Sequence, residues 1–74
     1  MMTELAPYLD YANQPIYEGD IIQHPQGARG MVVKVSGYSL DSDTWKVDYG
    51  DSDLNRLCLQ VGEKGQAIVV KRAI

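Results

Sequence analysis

The chain has 74 residues, 45% hydrophobic and 23% charged, with a formal net charge of −3. That composition is of one small globular domain and excludes a disordered chain; at this size about 60% of the unfolded surface is buried, so the core must be compact and self-association would help. The acidic balance argues against a whole-molecule field that attracts nucleic acid or an anionic membrane.

The opening MMTELAPYL has no positive n-region and no apolar stretch of signal-peptide length, and AIVV at 67–70 falls far short of a membrane span. One cysteine, Cys58, makes no internal disulfide and begins no zinc site. A cytoplasmic protein outside the membrane is expected.

Residues 1–15 carry no sustained period, and Pro7 interrupts any helix there, so they are predicted to be an irregular arm with at most one helical turn. The arm's Tyr8 and Tyr11, with Tyr17 just beyond, give it more apolar area than a free tail needs, so it should pack on the domain or on another subunit. Residues 16–74 form the domain proper. Ile21-Ile22-Gln23 reads as a first strand, and His24-Pro25-Gln26-Gly27 as a turn. GMVVKVSG from Gly30 is a β-branched strand with Met31, Val33 and Val35 on one face and Val32 and Lys34 on the other. After a loop over 37–43, Thr44 to Tyr49 alternates, with Trp45, Val47 and Tyr49 inward. The turn at residues 50–53 leads to a fourth strand, in which Leu57, Leu59 and Val61 alternate with Arg56, Cys58 and Gln60. Residues 62–65 turn again, and AIVVKR closes the chain as a fifth strand whose inward face the apolar run does not reveal. Five short strands between Gly, Pro and Asp turns predict an all-β fold, a small closed or nearly closed antiparallel barrel.

Within GDIIQHPQGARGMVVKV, residues 19–35, the positions Gly19-Asp20, Gly27, Gly30, Val32 and Val35 resemble the opening of the KOW motif, and WKVDYGDSD is similar to the strand-to-turn segment of Tudor-type domains. Both families are SH3-like barrels that bind RNA or proteins through their loops, so the resemblance implies a five-stranded SH3-like barrel working as a binding module. The chain departs from both families: RNA-holding KOW modules are usually basic, and HPQGAR lacks the aromatic that a Tudor cage takes from its first loop. The chain also resembles the type II dihydrofolate reductases in opening a strand with Gly-Asp. Their Val-Gln-Ile-Tyr motif is absent, so that likeness implies only that such a barrel works as an oligomer.

The Asp-Ser-Asp tripeptides at 41–43 and 51–53 invite a metal-site reading, but a strand between them at about 3.3 Å per residue holds Asp43 and Asp51 roughly 26 Å apart. Turn chemistry, with Asp and Ser bonding nearby backbone N–H groups, is the expectation. As a surface, Asp41, Asp43, Asp51 and Asp53, with Tyr38 exposed in the GYSL loop, are the candidate contacts for a protein partner or a second copy. The alternative is a nucleic-acid site in which Arg29, Lys34, Lys71 and Arg72 converge, and a third reading is a small oligomeric enzyme with a shared pore. His24 and Cys58 could act together only if folding joined them. With no phosphate loop, dinucleotide fingerprint or triad motif, a non-enzymatic module without cofactor or metal is expected.

Overall fold

The structure, a computed structural model, describes residues 4–51 and 53–73. In chain order its elements are β1 (Leu5–Leu9), β2 (Pro15–Tyr17), β3 (Ile21–Gln23), β4 (Arg29–Lys34), the helical turn α1 (Asp41–Thr44), β5 (Trp45–Asp48), β6 (Leu54–Arg56), the helical turn α2 (Leu57–Gln60) and β7 (Ile68–Lys71). The strands form a β1–β2 hairpin and a five-stranded sheet in the order β6-β5-β4-β3-β7, every pair antiparallel. The all-β class holds. The five-stranded sheet is not closed, because β6 and β7 are its two edges.

The alternation in β5 sets the inner face as expected: Trp45 and Val47 are buried, and Tyr49 packs against the same core. Side chains directly opposite on antiparallel strands share a face. Val47 is paired with Val32, and Ile22 is paired with both Gly30 and Val69, so these positions also turn inward. This resolves the apolar run of β7, where Val69 enters the core while Ile68 and Val70 face out. It also places Met31 on the outer face.

Three expectations are corrected. The arm is not irregular: β1 is a strand, with Ala6 buried and Tyr8 half-buried between outward Leu5, Pro7 and Leu9. The inward residues are the small and the amphipathic ones, so hydropathy shows no alternation, and Pro7 is tolerated because β1 is an edge strand. Asp10 closes the hairpin. Its Oδ1 accepts from the N–H groups of Ala12 (2.9 Å) and Gln14 (2.7 Å), and its Oδ2 accepts from Val69 N–H at 2.8 Å. The Tyr11 N–H also donates to the Ala67 carbonyl at 3.0 Å. Together they block the open edge of β7, which would otherwise invite another strand.

The fourth strand at 56–61 is also corrected. Strand pairing ends at Arg56, and the chain then winds into α2, with Val61 N–H donating to the Leu57 carbonyl at 3.2 Å. Leu57 and Val61, four apart, are both buried, as they would be in a strand or a helical turn. Leu59 distinguishes the two, being 61% exposed. Finally, the 37–43 loop ends in α1, where the Thr44 N–H and Oγ1 both donate to the Leu40 carbonyl. Ser52, within the predicted 50–53 turn, lies outside the described residues. Among those described, no helix is long and apolar enough to cross a membrane.

Candidate functional site

β5 separates the two acidic tripeptides as predicted, and each end has its own character. At its start, loop 36–40 and α1 carry Tyr38, Leu40, Asp41 and Asp43. Tyr38 is 57% and Leu40 61% exposed. The loop is held by Val35 N–H donating to the Thr44 carbonyl at 2.8 Å, so its side chains are displayed from an anchored backbone. Lys46 stacks its ammonium 5.5 Å from the Tyr38 ring centroid, and Asp43 pairs with Arg56 at 2.9 Å. Asp41 is exposed beside them. At the other end of β5 the acids do turn chemistry: Asp48 Oδ1 accepts from Gly50 N–H and Asp51 Oδ1 from Asp53 N–H. Of the predicted partner contacts, Tyr38, Asp41 and Asp43 therefore share one surface, and Asp51 and Asp53 lie on another.

The basic set is dispersed. Arg29 lies on the outer sheet face, where its Nε donates to Gln23 Oε1 at 2.6 Å, and Lys71 is on the same face beside Ile21. Lys34 pairs with Glu4 near the Trp45 ring, at the inward side of the β4 end. The Glu4 hydrogen bond raises the Lys34 pKa. Arg72 is drawn inward by Asp20, whose side chain is fully buried. No single basic face results.

His24 and Cys58 are not joined. The Cys58 thiol lies beside Tyr8, whose pKa is raised by burial first, then by Cys58 and the α1 acids. His24 instead belongs to a buried polar chain that the sequence reading missed. Its Nδ1 donates to the Gly65 carbonyl at 2.8 Å, its Nε2 meets the Tyr49 hydroxyl, and that hydroxyl lies 2.8 Å from Gln60 Oε1. Tyr49 has one proton to give. Either the imidazole is cationic and Tyr49 donates to Gln60, or the imidazole is neutral, Tyr49 donates to Nε2, and the Gln60 amide turns its NH₂ to the phenol. In both cases the chain ties the β3–β4 turn, β5, α2 and the loop before β7 together. Gly30 makes room for it, since a Cβ there would stand 2.8 Å from the Tyr49 ring and 2.5 Å from Val47 Cγ1.

Burial pushes the Tyr49 phenol from 10.0 up to about 12. Between those values the folded chain holds a proton that the unfolded chain has lost, so the stability present below pH 10 declines as pH rises toward 12. With the ring partly open to solvent, the expected loss is about 1 kcal/mol. Urea midpoints measured across that interval should fall more steeply for the parent than for Tyr49→Phe, and parallel curves would contradict the assignment.

The outer sheet face is a second exposed apolar surface. Met31, Leu54, Ile68 and Val70 are exposed on it, with Ile21 and Val33 half-buried among them. Beside β7 a depression of about 270 Å³ is lined by Gln23, His24, Pro25, Gln66, Ile68 and Val70. Among the described residues, no three His, Cys, Asp or Glu gather to hold a metal ion. No protein-family model, curated protein or solved structure matches the chain.

Proposed function

We propose that this chain is a non-enzymatic interaction module of the SH3-like kind, which recognises a protein partner through loop 36–40 and α1. The reading rests on one observation: Tyr38 and Leu40 are both largely exposed on a loop whose backbone is anchored to the sheet. An aromatic and an aliphatic side chain displayed without loss of loop freedom suit a contact anchor. Asp41 and Asp43 beside them favour a partner segment that combines basic and apolar residues. The likeness of residues 19–35 and 45–53 to KOW and Tudor modules agrees with this, since those modules also bind through loops.

The test is affinity capture from the native cell with the parent chain, Tyr38→Ala and Asp41→Lys as baits. Both variants should retain less than about a tenth of the specifically captured protein, the effect of losing a contact worth more than about 1.4 kcal/mol. Equal capture by all three baits would remove this loop from the reading. Titration with RNA and DNA at two salt concentrations addresses the alternative, because phosphate binding through Arg29 and Lys71 must weaken steeply as salt rises.

A further inference from the structure

The strand register puts four side chains in one row across the outer sheet face. Asp48 on β5 pairs with Met31 on β4, Met31 with Ile21 on β3, and Ile21 with Lys71 on β7. Asp48, Met31 and Ile21 face outward because their chain neighbours Val47, Val32 and Ile22 are buried, and Lys71, two residues beyond buried Val69, joins them through a bulge in β7 that leaves it exposed and paired with Ile21. The row continues past Asp48 to Leu54 on the edge strand β6, and across the four strands from β5 to β7 it has an acid on β5, a base on β7 and two apolar side chains between. Among the described residues neither Asp48 nor Lys71 has an ion-pair partner within the chain.

Such a row is complementary to itself. A two-fold axis lying parallel to the strands, midway between β3 and β4, reverses the row without moving it along the strands. It brings Asp48 over Lys71 of the second copy, Met31 over Ile21, and the same contacts again in the other direction, as an isologous interface requires. Aligned sheets pack about 10 Å apart, a gap that a lysine and an aspartate extended toward each other can span. In the next row Arg29 lies over Gln23 of the second copy, which puts a cation over a neutral acceptor. We propose that this face is covered by a second copy of the chain in that two-fold arrangement. The inference rests on reading the chain as an interaction module, but it uses a different surface from the Tyr38 loop.

Four strands about 4.8 Å apart, averaging about four residues each at about 3.3 Å, give a footprint of roughly 250 Å² in projection. That belongs with transient interfaces, so the dimer is weak and depends on concentration. Sedimentation equilibrium from about 10 μM to about 1 mM reads it directly. Lys71→Asp, which sets two like-charge pairs in the dimer, should raise the dissociation constant at least about tenfold. Asp48→Lys should do the same, although it also removes the acceptor for Gly50 N–H. The double exchange of Asp48→Lys with Lys71→Asp restores both pairs in reversed sense, and it should return the constant to within about threefold of the parent. A parent chain that is monomeric throughout, a dimer indifferent to the single reversals, or a double exchange as weak as the singles would each overturn the arrangement. Tyr38→Ala should leave the dimer intact, and Lys71→Asp should leave partner capture intact, so the two surfaces fail separately.

Discussion

Asp20→Ala is expected to cost about 3–5 kcal/mol, the range for removing one member of a buried charge network. The Asp20 side chain is fully buried, and two of its three donors lie 52 and 53 positions away in sequence. Its Oδ1 accepts from Ala73 N–H at 2.8 Å, and its Oδ2 accepts from Tyr17 N–H at 2.9 Å and from Arg72 Nη1 at 3.0 Å. Arg72 also donates to the Pro15 carbonyl and to Gln14 Oε1. Without the carboxylate, two backbone donors and a guanidinium lose their acceptor, and the chain after β7 loses its tie to the β2–β3 turn. A domain of this length has a total stability of about 4–11 kcal/mol, so the variant should be at or near the edge of folding at room temperature. Urea unfolding of Asp20→Asn, which keeps the shape and one acceptor oxygen, should fall between the parent and Asp20→Ala. A loss below about 1 kcal/mol for Asp20→Ala would show that the network is dispensable.

Gly65→Ala should be nearly as damaging, at about 3 kcal/mol, for a steric reason. A Cβ at Gly65 would stand 2.1 Å from the Gln60 carbonyl oxygen and 2.5 Å from its carbon, so backbone itself must move. Overpacking of that kind costs about 1–3 kcal/mol. The displaced segments are also those that hold the buried polar chain, since the Gly65 carbonyl accepts from His24 and the Gln60 side chain meets Tyr49, and a lost buried hydrogen bond adds about 1 kcal/mol. Gly62→Ala provides the control in the same loop. Its nearest neighbour, the Cys58 carbonyl oxygen, would be 3.4 Å away, and the change should stay within about 1 kcal/mol of the parent. Equal effects at the two glycines would rule out close approach as the cause.

These two positions also mark how far local sequence carries. Gly19-Asp20 stands out in the chain as a strand opener, and β3 does begin at the next residue. The carboxylate's role is not visible there, because the Arg72 and Ala73 donors lie 52 and 53 positions away. Asp10 is similar: two of its acceptor contacts are local turn bonds, but the third reaches Val69, 59 positions on. Arg72 looked like a surface base for the same reason. Of the candidate partner contacts, the exposure of Tyr38 was legible from its place in a Gly-Ser loop. Its separation from Asp51 and Asp53 followed from the strand between them.

The all-β class, the positions of β3, β4, β5 and β7, the inward face of β5 and the turn chemistry of Asp51 are legible in the sequence. Each of these is set by side-chain alternation or by hydrogen bonds within a few residues. Only the tertiary structure decided the rest: that residues 5–9 form a strand, that residues 57–60 coil, which face of β7 is buried, and which acids and bases are spent on each other. Spacings of four suit a strand and a helical turn alike, and an apolar run such as Ile68-Val69-Val70 acquires an inside only when β3 pairs with it. Buried carboxylates likewise acquire their meaning from donors that folding brings from the opposite end of the chain.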